Sequence, residues 1–228
     1  MGYTTDFFGY FQLDKPLDKK TELLLKGLSE TRRMKRSISA LAKLKEITID
    51  EAIKKWGHHG EFYFDFKDMG QTRDSSIIDF NSPPPVQPDL WCNWKYQKDT
   101  YRLVWDKSEK FYHYVEWMIY IINIILIPNG YVINGTILWQ GQDFFHDQGL
   151  IEIITNVVTV KRFDLPFPRN SYSHERSNGR QDDSIPEIII KVTDEIKKTF
   201  PTANWVEQFP HDDDDDDENN RNILENNK

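Results

Sequence analysis

The chain is 228 residues long and contains a single cysteine, Cys92. One cysteine cannot close an internal disulfide and excludes zinc sites built from paired cysteines, so a reducing compartment is expected. No basic stretch followed by an apolar run opens the sequence, so MGYTTDFFGYF does not read as a secretory signal. Gly2 follows Met1, but Asp6 stands where a myristoylation signal needs Ser or Thr. Long apolar runs are lacking too. The uncharged stretch Trp117–Gln142 is broken by Pro128-Asn129-Gly130, and a membrane span needs roughly 20 residues, so none is expected. The signatures GxxxxGK[ST], strand-associated GxGxxG, GxSxG and HExxH are all missing. Nothing in the sequence calls for a cofactor or a resident metal.

Net charge is concentrated in one place. The net charge is −8, and the tail from His211 to Lys228, with Asp212 to Asp217, carries −6 of it. The remainder is near neutral and has no global basic field to draw it to nucleic acid. Basic residues do cluster locally: nine lie between Lys19 and Lys45 against Glu22 and Glu30, and Arg32, Arg33, Lys35 and Arg36 form the densest group. That group reads either as a solvated connector after a helix or as a binding patch.

Tryptophan is what the sequence has in quantity. Five of seven fall between Trp91 and Asp143: Trp91, Trp94, Trp105, Trp117 and Trp139. Rings this large dominate cores and binding surfaces alike. Trp91 and Trp94 are three residues apart, so along a strand they point to opposite faces. Trp94, Trp117 and Trp139 are expected in or beside the core, and Trp91 is the ring left for a partner.

Periodicity supplies the elements. Tyr3–Leu13 reads as a strand, and Pro16 opens a helix with Leu17, Leu24, Leu25 and Leu28 on one face. Thr48-Ile49-Asp50-Glu51 has capping-box spacing for a short helix ending at Trp56. Glu61–Phe66 alternates like a strand. The loop 67–89 follows, held extended by Pro83-Pro84-Pro85 and Pro88. Leu90–Tyr96 and Tyr101–Trp105 form a hairpin. Asp106 or Ser108 caps a helix over Glu109–Ile127. Tyr131–Trp139, Gly149–Ile154 and Val157–Arg162 are strands, the last two joined at Thr155-Asn156. The expected class is α+β: a largely antiparallel sheet with helices packed on one face. This core domain is placed at 1–163. A polar linker follows at 164–184 and an amphipathic helix with a short extension at 185–210, carrying Ile185, Ile188, Ile189, Val192 and Ile196 on one side. A disordered acidic tail is expected at 211–228.

Two polar sets could carry chemistry. His113 and Glu116 are three apart on the expected helix, and Asp143 and His146 lie in a loop after a strand. Together they could form a metal or acid–base cluster. Asp65, Asp68, Asp74 and Asp79 could hold a divalent cation through oxygen ligands, although they lack EF-hand spacing.

The phrases GYTTDFFGYFQLDKPL, SETRRMKR, GEFYF, DFNSPPPVQPDLWCNW, EKFYHYVEW, GYVINGTILWQGQD and NVVTVKR occur in that order over about residues 2–162. In this the chain resembles an uncharacterised family of small proteins of bacteria, their phages and large DNA viruses. The resemblance implies one compact domain over those residues and makes 163–228 an addition. It brings no activity, cofactor or catalytic residue with it. The expected protein is a non-enzymatic binding module of viral or phage type, in the host cytoplasm or the virion. Its protein partner would dock on Trp91, Arg32, Arg33, Lys35, Arg36, Pro84 and Gln87. The alternatives are a small metal-dependent or acid–base hydrolase acting on a nucleotide or phosphoester, and a nucleic-acid binder with a tryptophan stacking surface.

Overall fold

The computed structural model describes residues 2–142 and 147–162. The linker, C-terminal helix and acidic tail expected beyond residue 163, and the loop positions Asp143 and His146, lie outside the described residues. Six strands form one antiparallel sheet in the order β4-β5-β1-β6-β7-β8. They are β1 (Thr5–Leu13), β4 (Trp94–Gln97), β5 (Arg102–Trp105), β6 (Ile133–Gly141), β7 (Gln148–Ile154) and β8 (Val157–Arg162). β2 (Lys35–Arg36) and β3 (Ile77–Asp79) make a small second pair. The helices are α1 (Lys19–Glu30), α2 (Ile38–Leu44), α3 (Ile49–Trp56) and α4 (Tyr114–Tyr120).

β1 is the central ladder strand. It pairs with β6 from Thr5↔Gly141 to Leu13↔Ile133 and places Phe7 and Phe11 on the core face. There they meet Trp94, whose ring centroid lies 5.5 Å from Phe7, 5.8 Å from Phe11 and 5.2 Å from Phe111. Trp94, Trp117 and Trp139 are all buried, at 1% exposure or less. The indole of Trp94 donates to the Tyr114 carbonyl (2.9 Å), which ties the hairpin to α4. α1 is capped by Asp18, which accepts from the Thr21 amide (2.7 Å) and is held by the Tyr131 hydroxyl (2.8 Å). Thr48 and Glu51 form both halves of the capping box at the start of α3. Thr155 and Asn156 both adopt positive φ (48° and 68°), the geometry of a tight hairpin turn between β7 and β8.

Three expectations fail for identifiable reasons. Glu61–Phe66 is not a strand, because Glu61, Phe62 and Tyr63 are buried in succession and alternation is lost. The chain before Trp94 is also irregular: Cys92, Asn93 and Trp94 are all buried, so the two-face arithmetic does not apply to Trp91. The helix expected from Glu109 begins only at Tyr114. Lys107, Lys110 and His113 each have left-handed backbone (φ 71°, 60° and 53°), which a right-handed helix cannot accommodate. Asp106 instead accepts from the Ser108 amide in a turn (2.8 Å). Beyond α4 the helix widens into a π turn over Ile121–Leu126, marked by the Ile127 amide bonding to the Ile122 carbonyl (2.9 Å). No described helix is long and apolar enough to cross a membrane.

Candidate functional site

The basic cluster after α1 divides between interior and surface. Arg33 is 2% exposed. Its Nε donates to Gln87 Oε1 (3.0 Å), its Nη1 to Thr31 Oγ1 (2.8 Å), and its Nη2 to the carbonyls of Glu61 (2.8 Å) and Tyr63 (3.1 Å). Burial pulls its pKa down to about 10, which leaves the guanidinium charged at neutral pH. Gln87 completes the hub by donating to the Glu61 carbonyl (2.9 Å) and the Tyr120 hydroxyl (3.2 Å). Arg36 is 6% exposed and pairs with Asp74 (2.6 Å). Pro84 is buried as well. Arg33, Arg36, Pro84 and Gln87 therefore do not form the expected docking surface. Arg33, Arg36 and Gln87 hold the irregular segment 57–93 to the end of α1 and the residues after it, because buried polar groups must be satisfied and this segment has little sheet ladder to satisfy them.

Arg32, Lys35 and Trp91 remain accessible. The Arg32 guanidinium carbon lies 4.6 Å from the Phe80 ring centroid and 5.7 Å from that of Trp91. Exposed Arg73 also stacks on Phe80, at 4.8 Å. The result is a contiguous surface of two aromatic rings and two guanidinia. Arg32 also donates its amide to the Met69 carbonyl (2.8 Å), which joins this stack to its neighbour. That neighbour is an open cleft of ≈ 340 Å³ lined by Ser29, Glu30, Phe66, Met69, Lys95 and Asp106. Phe66 and Met69 are 45% and 58% exposed on its rim. The rim is made by three successive left-handed residues, Asp68, Met69 and Gly70 (φ 46°, 51° and 75°). A run of this kind costs on the order of 1–2 kcal/mol per non-glycine residue. Gly70 lightens that cost and packs against Thr31 and the Arg32 amide, where a side chain would crowd both.

Other expected groups fall elsewhere. His113 is exposed at the start of α4, and Glu116 is half-buried one turn on. Three of the four aspartates of the 65–79 loop are engaged within the fold: Asp65 accepts from the Lys67 amide, Asp74 from Ser76 and Arg36, and Asp79 from the Asn81 amide and the Ser82 hydroxyl, while Asp68 is exposed. Among the described residues, no three His, Cys, Asp or Glu side chains converge in a way that could hold a metal.

Sequence reading missed Glu61. It is fully buried, with Oε2 accepting from the His59 amide (2.8 Å) and Oε1 lacking a hydrogen-bond partner. Its carboxylate fills the space beside Gly57 (φ 80°), where any side chain would collide with it. Burial pushes its pKa up. A carboxyl with a raised native pKa binds its proton more tightly when folded, so its burial penalty is full above that pKa and is relieved as pH falls toward the unfolded value. Glu61→Gln is therefore expected to raise the urea midpoint at pH 8, with the gain over the parent shrinking toward about pH 4.5. Comparison at each pH cancels Asp18 and Asp74, whose lowered pKa values act in the opposite sense. A lower midpoint at pH 8 would mean instead that the Glu61 carboxylate is the stabilising countercharge of Arg33.

No family model, curated protein or solved structure matches this chain.

Proposed function

We propose that the chain works by binding another protein through the Trp91–Arg32–Phe80–Arg73 surface and the adjoining cleft. The observation that carries this reading is the stack itself: half-exposed rings and guanidinia mounted on a backbone that a buried hub holds in place. Aromatic and arginine side chains are enriched at protein interfaces and supply most of their hot spots. Preorganisation lowers the entropy lost on docking. The mixed charges of the cleft, Glu30 and Asp106 against Lys95, suit a polar protein surface better than a phosphate backbone. The near-neutral charge outside the tail points the same way.

The test is affinity capture from cells that naturally encode the chain, comparing the parent with the Trp91→Ala/Arg73→Ala variant. The partner is expected to be lost by at least about tenfold, as for removal of a hot spot worth 1.4 kcal/mol or more, with the fold intact by circular dichroism. Undiminished capture by a folded double variant overturns the proposal. The same rings could stack on bases, and the arginine stacking favours that reading over the hydrolase. It predicts that oligonucleotides quench tryptophan fluorescence with steep salt dependence, and absence of quenching at low salt removes it.

A further inference from the structure

The two surface guanidinia of the stack carry charge that the fold does not neutralise. Arg32 and Arg73 lie 4.6 and 4.8 Å from the centre of one ring, that of Phe80, so they are no further apart than those two distances allow together. Among the described residues neither makes an ion pair. Other cations of the same stretch are opposed: Arg36 pairs with Asp74, and Lys35 stands across the ladder from Asp79. The carboxylates close in sequence to the stack are turned elsewhere. Asp74, next to Arg73, accepts from Arg36 and Ser76. Asp79, next to Phe80, accepts from the Asn81 amide and the Ser82 hydroxyl. Asp89 accepts from the Leu90 amide and attracts Arg32 only from beyond ion-pair distance. Arg32 donates to neutral acceptors, the Phe80 carbonyl and Asn81 Oδ1, each at 3.3 Å. Two like charges held this close repel each other until an anion joins them. A guanidinium stacked on an aromatic face keeps its N–H edge for a carboxylate, which it meets with two parallel hydrogen bonds.

We infer that the opposing charge comes from the partner: the stack seats an acidic peptide segment, one carboxylate against Arg73 and a second against Arg32. The inference rests on the binding face proposed above and gives its partner a chemistry. Carboxylates two residues apart on an extended segment are about 7 Å from each other, a separation that two cations sharing one ring can match. Half-buried Trp91, 5.7 Å from Arg32, continues the surface for an apolar or aromatic neighbour of those carboxylates. A nucleic-acid backbone fits this face less well. Phosphate contacts draw on backbone amides and hydroxyls as well as on cations, and those of Asn81 and Ser82 already serve Asp79. A run of phosphates crossing the face would also meet Glu30 and Asp106 in the adjoining cleft.

The test uses the full-length chain and fluorescein-labelled hexaglutamate, followed by anisotropy against labelled hexaglutamine. Saturable binding of hexaglutamate alone is expected at low salt, weakening as salt rises because the ion pairs are exposed. Arg73→Gln and Arg32→Gln are each expected to weaken it at least about fivefold, and Arg73→Lys to recover part of the loss, since an ammonium keeps the charge without the fork. Hexaglutamate bound no better than hexaglutamine, or bound by both glutamine variants as tightly as by the parent, overturns the inference. So does tighter binding of hexathymidylate at the same salt, which would make the face a phosphate site. Binding that appears only after Asp212 to Asp217 are changed to Asn overturns it too, because the chain's own aspartates would then be the occupant. Affinity capture distinguishes an acidic partner from any partner at this face. A partner kept by Arg73→Glu but lost by Trp91→Ala/Arg73→Ala leaves the binding face standing and removes the acidic segment. A partner kept by both variants removes the binding face itself.

Discussion

Arg33→Met is expected to lower the stability of the folded domain by at least about 3 kcal/mol, read as the urea midpoint followed by tryptophan fluorescence. The substitution keeps most of the volume and removes every donor. It leaves Gln87 Oε1 and the Tyr63 carbonyl without the partner that now satisfies them in the interior, and leaves the Glu61 carbonyl with Gln87 as its remaining donor. Each buried group orphaned in this way costs roughly 1–3 kcal/mol. Arg33→Lys is expected to recover only part of the loss. An ammonium concentrates its donors at one point and cannot reach acceptors that a planar guanidinium meets on three nitrogens. A midpoint for Arg33→Met matching the parent would show that the hub is incidental. The consequence extends to the surface, because Trp91 rides on the segment this residue holds and Arg32 is its chain neighbour.

The second large effect is expected at Trp94. Trp94→Ala removes a fully buried indole from contact with Phe7, Phe11 and Phe111, together with its hydrogen bond to the Tyr114 carbonyl. The loss expected for such a large-to-small change is about 3–5 kcal/mol. Trp91→Ala, three residues earlier, is expected to cost only about 1 kcal/mol, the scale of a partly exposed cation–π contact. Paired thermal or urea denaturation of the two variants checks the contrast. Similar losses at both positions would contradict the assignment of one ring to the core and the other to a partner.

That contrast also marks what the sequence made legible. Several elements decided by a local rule agree between the reading and the structure. The aromatic- and threonine-rich strand expected over Tyr3–Leu13 forms over Thr5–Leu13, and the Thr48–Glu51 box and the Thr155-Asn156 turn, each written in neighbouring residues, form where expected. Trp94, Trp117 and Trp139 are buried, as expected. The misread segments are those where distant contacts decide. Glu61–Phe66 looks like a strand, yet its carbonyls are claimed by Arg33. Glu109–Tyr112 has good helical spacing, but Phe111 is drawn into the ring cluster with Phe7 and Trp94, which postpones the helix. The candidate site fared similarly. Trp91 could be picked out as an accessible ring, whereas nothing in SETRRMKR distinguishes the arginine that is buried from the one that is not. That distinction belongs to acceptors many residues away.

The separations themselves have a further consequence. Arg33 bonds to residues 28, 30 and 54 positions further along the chain. It therefore pins long loops closed, the task that small extracellular domains assign to disulfides. A guanidinium clamp does this without covalent chemistry. It needs no oxidant to form and is untouched by thiol reductants, which suits a chain with one buried cysteine. It also re-forms on each refolding with no isomerisation among wrong pairings. The irregular segment 57–93 is thus cross-linked in a manner that reduction cannot undo and that a single codon change can.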